Sequence, residues 1–267
     1  NILGIIPKHK DVLERSAIVV IENPKSSISE AFRSIRANLE FLEDSKGPKV
    51  VTTTSTIPGE GKTFVGINLA AIFSLLDKKV IILDFDLRKP RLAKIFNAES
   101  QKGISTILIG RTTLEECIIP TGVNNLDIIT SGPVPPNPAE LINKDETLEL
   151  IETLKETYDY IFIDTPPVGL VTDALELMGI ANYPIYVLRA DYSDRGFLEN
   201  VNKLIFDNGI HKLSIVLNDF GRGASATVGK YAYGYGYGYG YGYGYGYGKS
   251  YGDSGGMGYY SDDAHSS

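Results

Sequence analysis

Apolar residues recur at helical spacing through residues 27–43, where Ile28, Phe32, Ile35, Leu39 and Leu42 share one face. Ser27 followed by Glu30 has the form of a capping box, so the pattern predicts a helix beginning there. Downstream, short β-branched runs alternate with longer amphipathic ones. Strands are predicted at 50–54, 80–83, 126–130, 160–163, 185–188 and 213–217. Helices are predicted at 62–76, near 147–155, at 173–180 and at 197–206. Strands that are apolar throughout, each followed by a helix, imply an α/β fold: a mostly parallel sheet with helices on both faces.

Both ends depart from this rhythm. Residues 1–26 read as a lead-in, with the run from Ile2 to Pro7 as a short apolar anchor, and the main domain is expected at 27–221. After Asp219 the composition shifts to Gly, Ser and Tyr, which marks 222–267 as a separate tail. Tyrosines stand there at Tyr231, Tyr233, Tyr235, Tyr237, Tyr239, Tyr241, Tyr243, Tyr245, Tyr247, Tyr251, Tyr259 and Tyr260, twelve of the chain's 17. Alternating Gly offers no apolar face and carries a high ordering entropy, so a disordered, flexible tail is expected.

Composition narrows the class. A net charge of -7 over 267 residues argues against non-specific nucleic-acid binding, and 43% hydrophobic content suffices for a real core. The single Cys117 excludes an internal disulfide and any cysteine-rich metal site, and fits a reducing compartment. No apolar run approaches the ~20 residues of a bilayer span. The chain starts at Asn1 with no signal-peptide pattern, and so reads as an excised cytosolic piece.

Chemistry concentrates after the predicted strand at 50–54. Thr56-Ile57-Pro58-Gly59-Glu60-Gly61-Lys62-Thr63 matches a phosphate-binding loop except that Thr56 stands in the place of the first glycine. Such loops need glycine so that backbone N–H groups can face phosphate oxygens, a lysine for the β/γ-phosphates, and a hydroxyl for Mg²⁺. The expected nucleotide contacts are Pro58, Gly59, Glu60, Gly61, Lys62, Thr63 and Phe64. Asp84 and Asp86 end one predicted strand, just before Arg88, and Asp164 ends another. Carboxylates at the carboxyl ends of parallel strands line the ligand crevice of such sheets. Any one of them could be an ordinary helix cap; all three beside a phosphate loop indicate a Mg²⁺–nucleotide site plus a base for an acceptor.

With these residues in this order, the chain resembles the cytoplasmic domains of bacterial tyrosine kinases from capsule and exopolysaccharide co-polymerases. The opening Leu3-Gly4-x-x-Pro7 is similar to the segment after that family's second transmembrane helix. The resemblance implies a P-loop NTPase architecture of the deviant-Walker, MinD-like kind, with ATP and Mg²⁺ as cofactors. It implies that Lys62 and Thr63 bind phosphate and metal, that Asp86 and Asp164 hold the metal, and that Asp84 serves the acceptor hydroxyl. Arg88 joins the catalytic set, and Asn218 is similar to a base-contacting asparagine of related ATPases. The tail tyrosines would be the phosphoacceptors, modified in trans.

The same resemblance makes Glu30-x-x-Arg33-x-x-Arg36 a contact to the next subunit of a ring formed by unphosphorylated chains. Residues three apart on a helix step by about 60°, so the three form a stripe largely away from the Phe32/Ile35/Leu39 face; the plainer reading is a capped, solvated helix face. Implied partners are a fused or separate membrane co-polymerase activator, a tyrosine phosphatase and polysaccharide-pathway proteins, at the cytoplasmic face of the inner membrane. Arg88, Lys89, Arg91 and Lys94 form a basic run able to attract phosphotyrosine or nucleotide. Two rivals share parts of the pattern. A ParA/MinD-type positioning ATPase would carry a signature lysine where this chain has Ile57, and an adhesive Gly-Tyr module would use the nucleotide only to regulate assembly.

Overall fold

The computed structural model describes residues 1–8, 17–42, 46–143 and 145–221; the tyrosine tail, with its boundary at 222, lies outside them. In chain order the elements are β1 (Ile2–Pro7), α1 (Val19–Glu22), α2 (Ser27–Leu42), β2 (Lys49–Ser55), α3 (Lys62–Ser74), β3 (Val80–Asp84), α4 (Leu92–Ile95) and α5 (Ile104–Ile107). There follow β4 (Ile119–Pro120), β5 (Leu126–Ile129), α6 (Pro138–Ile142), α7 (Asp145–Lys155), β6 (Tyr160–Asp164), α8 (Asp173–Gly179), β7 (Tyr183–Arg189), α9 (Phe197–Phe206) and β8 (Ser214–Phe220). The strands form one sheet in the order β1-β8-β7-β2-β6-β3-β5-β4. It is parallel except for the β4–β5 edge.

Period-two alternation sends successive strand residues to opposite cores. Val51, Ile82 and Phe162 pack under α1, α2 and α3, whereas Val50, Ile81, Leu83, Ile161 and Ile163 pack under α5, α6, α7 and α8. Tyr186 and Leu188 build a third cluster with Val201 and Leu204 of α9. Every residue of β2 and β3 is buried, as strands in a sheet covered on both sides must be. Helix α3 is buried almost all round, because α1 and α2 lie over the side turned from the sheet.

Two expectations change. The side chain that caps α2 is Ser26, not Ser27: Ser26 Oγ accepts the Ser29 N–H at 3.2 Å. Glu30 does not close a capping box but pairs with Arg33. Residues 2–7 are more than an anchor: they form the edge strand β1, parallel to β8, with Leu3 and Ile6 in the core. A β-strand whose partner lies some 210 residues away leaves no local trace beyond an apolar run. The four-residue helices α1, α4 and α5 are likewise too short to show a helical period.

Candidate active site

Strand order brings the predicted residues together. β6 lies between β2 and β3, and in register Asp164 is the partner of both Thr53 and Asp84. The phosphate loop leaves β2, and the two acidic strand ends therefore stand beside it at the carboxyl edge, where a parallel sheet opens its crevice.

Within the loop Gly59 and Gly61 adopt φ of 92° and 101°, the left-handed region that glycine enters without penalty. A Cβ on Gly61 would also lie 2.2 Å from Asn218 Nδ2. The loop is strapped from the sheet's other half. Asn218 Nδ2 donates to the Glu60 carbonyl at 3.0 Å, Arg189 Nη1 to the Gly59 carbonyl at 3.1 Å, and Tyr192 Oη to the Pro58 carbonyl at 3.0 Å. Arg189 is itself held by Asp219 at 2.8 Å. The Glu60 side chain is fully buried and turned inward, accepting the Ile57 N–H at 2.8 Å and bonded to Ser193 Oγ. Phe64 packs edge-on against Phe32, with ring centroids 5.9 Å apart. The Glu60 and Phe64 side chains are thus both committed to contacts within the protein.

At the head of α3, Lys62 Nζ lies 3.0 Å from Asp86 and 3.3 Å from Asp164. Thr63 Oγ1 donates to Asp164 Oδ2 at 2.6 Å. Burial alone would lower the Lys62 pKa, but Asp164 and Asp86 outweigh it and hold it above its ordinary value. Burial pushes Asp164 up, against the pull of Lys62 and Thr63. The two shifts look opposed, one favouring an ion pair and the other a neutral acid. Both follow from one ammonium facing three buried carboxylates, Asp84, Asp86 and Asp164. We take Lys62 as charged, because deprotonating it would leave those acids with no cation.

That imbalance is what a divalent cation would relieve. Thr63 Oγ1 and the carboxylates of Asp86 and Asp164 are all oxygen donors, the set Mg²⁺ selects when phosphates complete its coordination. Among the described residues no cluster of three or more His, Cys, Asp or Glu could hold a metal alone. The fit to the ion rests on the oxygen donors of Thr63, Asp86 and Asp164.

Asp84 is fully buried. Its Oδ2 accepts the N–H groups of Arg91 and Leu92 at 3.1 and 3.0 Å, and its Oδ1 that of Asp86 at 3.3 Å. Three of a carboxylate's roughly four acceptor positions are thereby used by backbone N–H groups. Burial, and then Asp164, push its pKa up to about 7. Arg88 points to α8: its guanidinium contacts Asp173 at 2.9 and 3.3 Å. On α2, Arg33 pairs with Glu30 and donates to the Pro24 carbonyl at 2.7 Å, while Arg36 lies 3.8 Å from Glu40. These three stand apart from the Lys62 cluster.

Sequence reasoning missed the straps Arg189, Tyr192, Ser193 and Asp219, and the anchor Asp173. The only signal available was position, since Arg189 follows a predicted strand at its carboxyl end. Thr56, where the usual loop has glycine, is bonded to Tyr186 Oη at 2.6 Å inside the protein.

Residues 48–214 match the family described as AAA domain. Tyrosine-protein kinase YwqD of Bacillus subtilis is 37% identical over 183 residues, 68% of this chain and 77% of that protein. The putative tyrosine-protein kinase CapB of Staphylococcus aureus is 36% identical over 203 residues, 76% and 89% of the two chains. Tyrosine-protein kinase wzc of Salmonella typhimurium is 35% identical over 222 residues, 82% of this chain but 31% of that longer one. The kinase domain of Escherichia coli tyrosine kinase ETK superposes with a TM-score of 0.79 at 28% identity, covering 91% of this chain and 95% of that one. A putative plasmid partition protein from Borrelia burgdorferi bound to AMPPNP matches with a TM-score of 0.54 at 26% identity, over 65% and 76%. Phosphate loop, paired acidic strand ends and relatives agree: the chain belongs to the bacterial tyrosine-protein kinases.

Proposed function

We propose that the chain binds MgATP in the crevice between β2 and β3 and phosphorylates the tyrosines of its own tail, subunit to subunit. The bond from the γ-phosphorus to the β-phosphate bridging oxygen breaks, a phenol oxygen bonds to that phosphorus, ADP leaves and the phenol proton is released. Lys62 and the loop N–H groups hold the phosphates; Thr63, Asp86 and Asp164 hold Mg²⁺, which supplies charge neutralisation at the transferring group. Asp84 holds the loop after β3 and receives the phenol with its remaining acceptor position. Arg88, set by Asp173, lies at the margin of this set. One arrangement carries the reading: Lys62, Thr63, Asp86 and Asp164 converge within hydrogen-bonding reach at the carboxyl ends of adjacent strands.

In this reading the catalytic domain extends to residue 221 and takes in β1 and α1, which share its sheet and core, and 222–267 are its substrate. Glu30, Arg33 and Arg36 join neighbouring subunits of a ring at the cytoplasmic face of the inner membrane, beside a co-polymerase activator. A tyrosine phosphatase resets the tail, and polysaccharide-pathway proteins are further substrates. No described helix is long and apolar enough to cross a membrane. Incubating the full chain with MgATP, wild type beside Lys62→Met, and mapping phosphosites tests the assignment. Phosphotyrosine on the wild-type tail alone supports it; an unmodified wild-type chain overturns it.

A further inference from the structure

Of the chain's 17 tyrosines, twelve lie in the tail and five in the described domain. Tyr158, Tyr183 and Tyr186 are buried, and Tyr160 is half-buried, stacked on Phe73 with ring centroids 4.1 Å apart. Two of these spend their hydroxyls inside the protein: Tyr158 Oη donates to Asp127 at 2.8 Å, and Tyr186 Oη is bonded to Thr56. Tyr192 differs from all four. It stands on the loop after β7, 49% exposed, at the carboxyl edge of the sheet where the candidate active site opens.

Its hydroxyl is nevertheless engaged, and with the phosphate loop itself. Tyr192 Oη donates to the Pro58 carbonyl at 3.0 Å, and a Cβ built on Gly59 would lie 3.0 Å from the same oxygen. The guanidinium of Arg189, which donates to the Gly59 carbonyl, stands 5.2 Å from the centroid of its ring. One exposed phenol thus holds the loop directly and borders the cation that holds it a second time.

We infer that Tyr192 is a phosphoacceptor outside the tail, modified by the chain's own kinase activity, and that its phosphorylation weakens the ATP site it borders. The inference rests on the kinase reading. The γ-phosphorus loses its bond to the bridging oxygen of ATP and gains one to Tyr192 Oη; ADP leaves and the phenol proton is released. The esterified oxygen has no proton to donate, so the bond to Pro58 is lost. In its place come about -1.5 to -2 charges, set against a loop that must hold the phosphates of ATP. The new group also offers Arg189 a charge-assisted partner stronger than the neutral Gly59 carbonyl. Of the three cross-sheet donors to the loop, Asn218 alone keeps its bond. With twelve tail phenols competing against one, Tyr192 is modified late, and acts as a brake once the tail is filled.

The test uses the full chain, wild type beside Tyr192→Phe, dephosphorylated and then after exhaustive MgATP treatment and removal of nucleotide. Phosphosite mapping over time should show Tyr192 modified after the first tail sites. Titration with a non-hydrolysable ATP analogue should show treated wild type binding at least about tenfold more weakly than untreated. Tyr192→Phe keeps the ring beside Arg189 but has no hydroxyl. It should bind more weakly than wild type from the start, yet change by less than about twofold on treatment, although its tail is labelled as heavily. A labelled tail with Tyr192 unmodified, or equal weakening of wild type and Tyr192→Phe, overturns the inference and leaves the kinase reading standing. Absence of phosphotyrosine anywhere overturns the kinase reading, and this inference with it.

Discussion

The Thr63 hydroxyl donates a 2.6 Å hydrogen bond to Asp164, joining the first turn of α3 to the end of β6 across 101 residues of chain. The same carboxylate lies 3.3 Å from Lys62. The groups proposed to bind phosphate and metal are therefore already in contact.

Lys62→Met and Asp164→Ala should each abolish tail phosphorylation, by several orders of magnitude, because phosphoryl transfer depends on positioning and charge stabilisation. Lys62→Met also strands buried acids, a change worth about 3–5 kcal/mol where nothing compensates. Its melting temperature should fall below wild type and recover in part with added Mg²⁺. Anti-phosphotyrosine blots and thermal melts read both effects, and near-wild-type labelling of either variant removes that residue from its role.

Asp84→Asn turns an NH₂ toward the N–H groups of Arg91 and Leu92 or gives up one acceptor oxygen. A positioned base typically contributes about 10²–10⁴-fold. Turnover should fall by about 100-fold or more, with ATP affinity changed far less. Steady-state kinetics and nucleotide titration separate the two. Lost ATP binding with normal turnover at saturation would make Asp84 a metal ligand.

Arg189→Ala removes the donor to the Gly59 carbonyl and the partner of Asp219. The loop loses its tether while its phosphate-facing groups remain. ATP should bind about tenfold more weakly, equivalent to ~1.4 kcal/mol, with a smaller change in kcat. A kcat loss at unchanged ATP affinity would argue against a strap.

Arg33→Ala/Arg36→Ala should yield monomers before any phosphorylation and slow labelling of the tail. Each phosphate adds about -1.5 to -2 charges, so gathered tails repel one another as modification proceeds. Wild-type chains should accordingly be oligomers when dephosphorylated and monomers after MgATP treatment. Equal mass of the two forms in light scattering at matched concentration would sink the switch but not the kinase.

Alkaline stability should depend on Tyr186 and Tyr160, each pushed up to about 12 by burial. In the unfolded chain a phenol ionises near 10, so the unfolded state loses its proton first and stability declines between about pH 10 and 12. Below about pH 10 the contribution is fully present. Urea midpoints at about pH 9 and about pH 11 should show this fall, and Tyr186→Phe should make it shallower. An unchanged decline in that variant would clear Tyr186 of the effect.

Much of the fold was legible locally. The helix predicted at 197–206 is α9 to the residue, and Val50, Val80, Tyr160 and Ile185 each fall within a predicted strand that forms. Their side chains repeat every two or 3.6 residues wherever a core must be met. What was not legible lacks such a period: β1 is defined by its pairing with β8, and Ser26 displaces Ser27 as the cap by one residue of register.

The chain's own order of residues determined the alternating elements, the phosphate loop and the acids at the ends of β3 and β6, because periodicity and glycine content act within a few residues. Tertiary structure alone decided that β6 enters between β2 and β3, which places Asp164 against both Lys62 and Asp84. It also decided that Asp84 anchors the Arg91 loop by accepting its backbone N–H and that Arg189 and Asn218 grip the phosphate loop from 130 and 158 residues away. Strand order and register come from which buried surfaces fit together across the whole sheet, and no local window of sequence carries that choice.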